Sequence, residues 1–267
     1  MRTSAGVPVL NPTELKISPI SAFSDNYVWL LQGDGPDCAV VDPGDAAPVL
    51  AVLAARQLRL RHILLTHHHA DHAGGIPGLL AHHEAQVHGP DDARLGDWCR
   101  PCHEGDRVAL PELGLEFGVL DIPAHTRSHI AFHGAGALFS GDTLFSIGCG
   151  RLFEGSPADM QAALDKLAAL PPQTRVYCGH EYTQANCRFA LQVEPDNAVL
   201  QSKAARVDAQ RAAGQCTLPG LLAEELAANP FMRTREPAVV AAARKRDPAA
   251  LPGATTLGVI RAWKDQS

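Results

Sequence analysis

Arg61-His62-Ile63-Leu64-Leu65-Thr66-His67-His68-His69-Ala70-Asp71-His72-Ala73-Gly74-Gly75 is the stretch that decides the fold. Its first six residues make a short apolar run of strand length, and a helix is read from Ala73 to His83. Between them lies a turn dense in metal ligands. In extended backbone, side chains at i and i+2 point to one side, so His67 and His69 can grip one ion while His68 points away. Asp71 and His72, a step further round the turn, face elsewhere and can serve a second ion. Four ligands from one turn cannot complete two coordination spheres, so later strand ends must supply more.

Working outward, Leu15 to Asp42 reads as three strands (LKISPI, YVWLLQ and CAVVD) separated by the turn formers Ser24-Asp25-Asn26 and Gly33-Asp34-Gly35-Pro36. A helix with its apolar face at Val49, Leu50, Val52, Leu53 and Leu58 follows the Asp42-Pro43-Gly44-Asp45 turn. Further strands are read at Arg107 to Leu110, Leu115 to Ile122, Ser128 to His133, Ala137 to Ser140 and Thr174 to Cys178. Ser156-Pro157-Ala158-Asp159 starts a helix, with an N-cap, proline at its first position and an acid in its first turn. From Thr183 onward strand-like alternation is missing and the chain reads as helices punctuated by proline and glycine. The expected organisation is α/β: residues 1–14 an extension, 15–182 a layered β-rich part, and 183–267 a small all-α part.

Charge and cysteine usage narrow the partners. The formal charge is −6, but residues 1–183 hold 12 Lys and Arg against 21 Asp and Glu, whereas 184–267 hold 11 against 8. An acidic bulk argues against nucleic acid, whose phosphates demand a Lys/Arg-rich face, and the cationic last third suits a small anionic ligand. Apolar runs such as Leu50 to Ala55 are far shorter than the ~18 residues of a membrane span, and the N-terminus has no export signal, so a cytoplasmic protein is expected. Seven scattered cysteines fit a reducing compartment. Cys99-Arg100-Pro101-Cys102-His103 matches redox and haem-attachment spacings, but it falls in a Gly/Pro/Asp-rich stretch read as a loop and is given no role.

Three residues stand where a strand gives way to a loop and can complete the metal sites: His125 in Pro-Ala-His-Thr, Asp142 in Ser-Gly-Asp-Thr, and His180 in Cys-Gly-His-Glu-Tyr. Asp42, before Pro43-Gly44, is either a hydrogen-bond partner of a ligand histidine or a turn residue. The remaining histidines, His62, His82, His83, His88, His103, His129 and His133, read as surface or packing residues.

With Thr66 to His72 matching THxHxDH and the later His, Asp and His in order, the chain resembles the metallo-β-lactamase superfamily. Gly141-Asp142-Thr143-Leu144-Phe145, Gly148-Cys149-Gly150-Arg151, His180-Glu181-Tyr182-Thr183, Asn229-Pro230-Phe231-Met232-Arg233 and Arg261-Ala262-Trp263-Lys264-Asp265 narrow the resemblance to the glyoxalase II (hydroxyacylglutathione hydrolase) family. That resemblance implies a four-layer αββα sandwich followed by a helical glutathione-binding domain. It implies one metal on His67, His69 and His125, another on Asp71, His72 and His180, and Asp142 bridging, with Asp71 and Asp142 the catalytic carboxylates. The cofactor implied is two divalent ions, zinc with iron or manganese as alternatives, which lower the pKa of a shared water and polarise a carbonyl. Arg151, Tyr182, Arg261 and Lys264 would hold glutathione, and Phe153 stands where some members carry a tyrosine. The reaction implied is hydrolysis of S-D-lactoylglutathione to glutathione and D-lactate, the second step of methylglyoxal detoxification, by a monomer. The alternatives are other chemistries of the superfamily, such as lactone, β-lactam or RNA cleavage or persulfide oxidation at a single iron, and a non-catalytic metal-binding protein.

Overall fold

The computed structural model describes residues 15–267, and the expected extension at 1–14 lies outside the described residues. The first half of the chain builds one mixed sheet, in spatial order β1 (Lys16–Ala22), β2 (Asn26–Gln32), β3 (Asp37–Val41), β4 (Arg59–Leu64), β5 (Gln86–Pro90) and β6 (Cys99–Cys102). β1, β2 and β3 are antiparallel neighbours, and β3 to β6 run parallel. Between β3 and β5 lie α1 (Ala46–Arg56), α2 (Ala70–Ala73) and α3 (Ile76–Leu80). Asp45 caps α1 by accepting the Ala47 N–H at 2.9 Å.

A second sheet follows the first. It contains β7 (Arg107–Leu110), β8 (Leu115–Asp121), β9 (Ile130–Gly134) and β10 (Ala137–Gly141), while β11 (Leu144–Phe145) and β12 (Gly148–Cys149) form a separate small hairpin. After α4 (Pro157–Ala168), whose Ser156–Asp159 capping box is the one expected, β13 (Arg175–Cys178) pairs parallel to β10. Then come α5 (Thr183–Val193), α6 (Ala198–Ala212), β14 (Gly220–Leu221), α7 (Leu222–Ala228), α8 (Pro237–Arg244) and α9 (Ala254–Asp265).

Alternation along the strands sorts the chain into four layers. Val28, Leu30, Val40 and Ile63 pack under Val49, Leu53, Ile76 and Leu79 of the outer helices. Trp29, Leu31, Val41 and Leu64, from the opposite face of the same strands, meet Phe117, Phe132 and Phe139 of the second sheet. The far side of that sheet, with Leu138 and Val176, packs on Leu164 and Leu167 of α4 and on Leu257 and Ile260 of α9. Burying each of these large side chains stabilises the sandwich by roughly 1.5–3 kcal/mol. The arrangement is the expected αββα sandwich with the helical tail closing one side. Among the described residues, no helix is long and apolar enough to cross a membrane.

Three local expectations need correction. The helix read over Ala73 to His83 is broken into α2 and α3, because the Gly75 N–H turns away to the Pro43 carbonyl at 2.9 Å. The cysteine pair lies on edge strand β6, not on a loop, and its i, i+3 spacing sends Cys99 to the helix side and Cys102 into the inter-sheet core. Facing apart, the two thiols cannot act as a dithiol. Within the tail, β14 adds two residues antiparallel to β13, a length too short for any alternation to reveal.

Candidate metal centre and substrate cleft

Strand direction places the chemistry at one edge. β8, β10 and β13 run the same way, so His125, Asp142 and His180 leave the second sheet together. The start of β2 docks onto the end of β13: the Tyr27 N–H donates to the Gly179 carbonyl at 2.8 Å, and the Trp29 indole to the Cys178 carbonyl at 2.9 Å. The end of β4, and with it the histidine turn, therefore meets the same edge, where Ile130 N–H donates to the Thr66 carbonyl at 3.0 Å. Two close approaches demand glycine: a Cβ on Gly44 would lie 1.8 Å from the Asp71 carbonyl oxygen, and one on Gly150 would lie 1.9 Å from that of Asp142.

Hydrogen bonds behind the rings fix which nitrogen each histidine presents. Asp42, at a left-handed φ of 52° that Asp tolerates better than most residues, accepts from Thr66 N and Thr66 Oγ1, both at 2.7 Å, and from His72 Nδ1 at 3.0 Å. Because the Thr66 hydroxyl spends its proton on Asp42, it accepts from His67 Nδ1 at 3.0 Å. His125 Nδ1 donates to the Arg151 carbonyl at 3.0 Å, and His180 Nδ1 to Asp25 at 2.8 Å. All four rings thus hold their proton on Nδ1 and turn a bare Nε2 inward.

The bare atoms converge in two groups. His67 Nε2 and His125 Nε2 each stand 3.1 Å from His69 Nδ1. His67 and His125 bring bare Nε2 atoms and His69 Nδ1 can donate to only one of them at a time, so the three nitrogens crowd together at a separation close to the about 3.3 Å that tetrahedral ligation at ~2.0–2.1 Å sets between neighbours. Beside them, Asp71 Oδ2 lies 3.5 Å from both His72 Nε2 and His180 Nε2. Asp142 stands between the groups, with Oδ2 3.6 Å from His125 Nε2 and 3.2 Å from His180 Nε2, and Oδ1 3.4 Å from His72 Nε2. Among the described residues, Asp142 Oδ1 and His72 Nε2 are buried without a hydrogen-bond partner. Buried orphans facing each other across a set of imidazoles and carboxylates fit a pair of divalent ions.

Titration follows the same division. Burial holds His67 well below its ordinary value and lowers His69 and His125, which keeps that trio neutral and ligand-competent. For Asp142 burial pushes upward, but His72 and His180 outweigh it and hold the carboxyl well below the usual range. His72 and His180 are raised despite their burial, chiefly by Asp142, which marks this half of the centre as a place of negative potential suited to a cation. His68 points out of the centre, with Nδ1 3.4 Å from Asp92. Asp42 is settled as the partner of a ligand-competent histidine. Asp42→Asn has a single acceptor oxygen and cannot serve both the Thr66 N–H at one position and Thr66 Oγ1 with His72 Nδ1 at the other, and it is expected to weaken metal retention by about 10- to 100-fold with the fold intact. Chelator competition followed by metal analysis measures this, and unchanged retention would contradict it.

Three contributors here were not anticipated: Asp25 behind His180, Asn26 donating to Asp71 Oδ2 at 3.0 Å, and His129. His129, read as a surface or packing residue, is buried, stacks on His67 at 4.6 Å and accepts the Asp142 N–H at 3.1 Å. Asp25 and Asn26 carried only a turn signal, and His129 none.

A cleft of about 450 Å³ leads away from the centre. Tyr182 lines it, stacked on His180 at 4.6 Å, as do Arg151 and the exposed ring of Phe153. Arg261 and Lys264 of α9 line it as well. Arg261 is 5% exposed and donates to the Cys149 carbonyl at 2.7 Å, and Lys264 meets Asn186 Oδ1 beneath it. Neither is a solvated helix face, because α9 lies against the β11–β12 hairpin and α5.

The family model for the metallo-beta-lactamase superfamily matches residues 23–95 and 102–180, and that for the hydroxyacylglutathione hydrolase C-terminus matches residues 181–267. The chain is 52% identical over 263 residues to the hydroxyacylglutathione hydrolase of Cupriavidus taiwanensis, covering 94% of this chain and 98% of that protein. It is 53% identical over 228 residues to that of Dechloromonas aromatica, covering 85% of each. Among solved structures, ETHE1 from Myxococcus xanthus shares the fold at a TM-score of 0.62 and 23% identity, over 94% of this chain and 97% of that one. TTHA1623 in a di-iron-bound form matches at a TM-score of 0.53 and 30% identity, over 61% of this chain and 91% of that one.

Proposed function

The chain belongs to the hydroxyacylglutathione hydrolase family of the metallo-beta-lactamase superfamily, and from that premise we propose that it hydrolyses S-D-lactoylglutathione and related 2-hydroxyacyl thioesters to glutathione and the hydroxy acid. The observation that carries this reading is one cleft that joins a cluster of inward-facing His and Asp side chains, five of which line it (His69, Asp71, His125, Asp142 and His180), to the buried Arg261 and half-buried Lys264. In this reading His67, His69 and His125 would hold one divalent ion and Asp71, His72 and His180 the other, with Asp142 between the two groups available to both. Such a pair supplies a water of lowered pKa and an electrophile for the thioester carbonyl, whether zinc, iron or manganese fills it.

The chain's own residues do the rest. Asp42, Asp25, Asn26 and the Arg151 carbonyl keep the ligand atoms aimed inward, so little reorganisation accompanies the reaction. Burial pushes the Tyr182 phenol upward, so its hydroxyl stays a hydrogen-bond donor at neutral pH. Arg151, Arg261 and Lys264 meet the substrate's carboxylates and set its position. A thiolate leaves without a dedicated general acid. Residues 15–182 carry the chemistry, and 183–267, together with Arg151 and Tyr182 of the first part, grip the peptide. We read the protein as cytoplasmic, because its seven scattered cysteines suit a reducing compartment.

Thiol release from lactoylglutathione by the purified protein, with metal content determined on the same sample, tests the proposal. Metal-loaded protein that releases no thiol would overturn it. A pH dependence follows from Lys264. Burial, with Arg261 nearby, lowers its ammonium to about 8. Below that value Lys264 is cationic and binds a carboxylate. Above it the charge is lost, so kcat/KM for lactoylglutathione is expected to fall on the alkaline side of pH 8 through a rising KM, while Lys264→Met shows no such limb. A profile identical in both proteins would remove Lys264 from recognition.

A further inference from the structure

One carboxylate in the terminal Arg-Ala-Trp-Lys-Asp segment has no part in the scheme above. Asp265 Oδ1 accepts from Arg261 Nη2 at 3.0 Å and lies 3.4 Å from Arg151 Nε. Both contacts use the same oxygen. Among the described residues, Oδ2 accepts no hydrogen bond, and the side chain is 40% exposed. Asp265 and Arg151 together border a second depression of about 360 Å³, which shares Arg151, Phe153 and Arg261 with the main cleft and so continues it outward.

Charge leaves few ways to fill these two spaces. A glutathione thioester brings two carboxylates and one ammonium. Around the main cleft and its extension the cations are Arg151, Arg261 and Lys264, and the carboxylates are Asp71, Asp142 and Asp265. Asp71 and Asp142 belong to the metal centre, so Asp265 is the carboxylate left for an ammonium. An arginine and an aspartate side by side also match the head group of a free α-amino acid, whose carboxylate and ammonium sit on one carbon. The γ-glutamyl end of glutathione is such a head group, whereas the glycine end is a bare carboxylate suited to Arg261 and Lys264. We propose that Asp265, paired with Arg151, binds the α-ammonium of the γ-glutamyl residue and is a specificity-determining residue for it. This rests on the glutathione-thioester reading and fixes the orientation of the peptide within it.

The test crosses one change in the enzyme with one in the substrate, using the metal-loaded full-length protein. The substrates are lactoylglutathione and its des-amino analogue, the lactoyl thioester of glutaryl-cysteinyl-glycine, which lacks the ammonium and adds no bulk. For a half-exposed ion pair, wild-type kcat/KM is expected to fall about fivefold on removal of the ammonium, through KM with kcat unchanged. Asp265→Asn is expected to lose about fivefold on lactoylglutathione and to handle both substrates alike. If Asp265 only held Arg151 and Arg261 in place, the variant would lose equally on both substrates, and the proposal would be overturned. If wild-type protein turned over lactoyl-N-acetylcysteamine as well as lactoylglutathione, the glutathione reading itself would fall, and this inference with it.

Discussion

Asp142→Ala is expected to remove metal from both halves of the centre and to lower kcat/KM by on the order of 10³-fold or more, since several kcal/mol of transition-state charge stabilisation go with the ions. The geometry makes the loss joint. Asp142 reaches His125 on one side and His72 and His180 on the other, and its backbone N–H is held by His129. Removing it also takes away the main charge that raises His72 and His180, leaving those rings against a smaller negative field. His68→Ala is the control, because that ring faces Asp92 outside the centre, and near wild-type metal content is expected. Metal per chain and thiol release measured on both variants decide the matter. Two metals retained with full turnover in Asp142→Ala would mean that the groups do not share a carboxylate.

Why some of these residues were legible and others were not has a physical basis. The histidine turn announces itself because a strand of period two fixes which side chains share a side, and His125, Asp142 and His180 announce themselves because each ends an apolar run. Those features are local. Asp25 and Asn26 act on His180 and Asp71, which lie 155 and 45 residues away in the chain, and only the docking of β2 on β13 brings them there. His129 becomes a support for Asp142 because the antiparallel pairing of β9 with β10 sets the residue before β9 opposite the residue after β10. β6 is hidden by its proline and short length, and its strand character comes from pairing with β5. Tertiary context also reverses the local reading of α9. Its i, i+3 cations look like a solvated face in isolation, yet packing against Phe189 and Phe231 buries Arg261 and half-buries Lys264.

That burial makes the paired variant Arg261→Met/Lys264→Met the strongest probe of substrate identity. Each side chain keeps its apolar stem against the aromatic rings, so the change removes charge more than packing. A charge-assisted hydrogen bond in a largely desolvated place is worth about 1.5–3 kcal/mol, so losing two should raise KM for lactoylglutathione by on the order of 10²-fold or more. Neither residue is among the metal-ligand groups, and contacts to a peptide carboxylate would be made equally in ground and transition states, so kcat should change little. Metal content should not change, because neither residue touches the centre. Lactoyl-N-acetylcysteamine, with no peptide carboxylate to bind, should be cleaved by wild type and variant at the same rate. A KM for lactoylglutathione that stays at the wild-type value would mean that the buried cations serve the packing of α9 against the hairpin, leaving Arg151 and Tyr182 to carry recognition of the peptide.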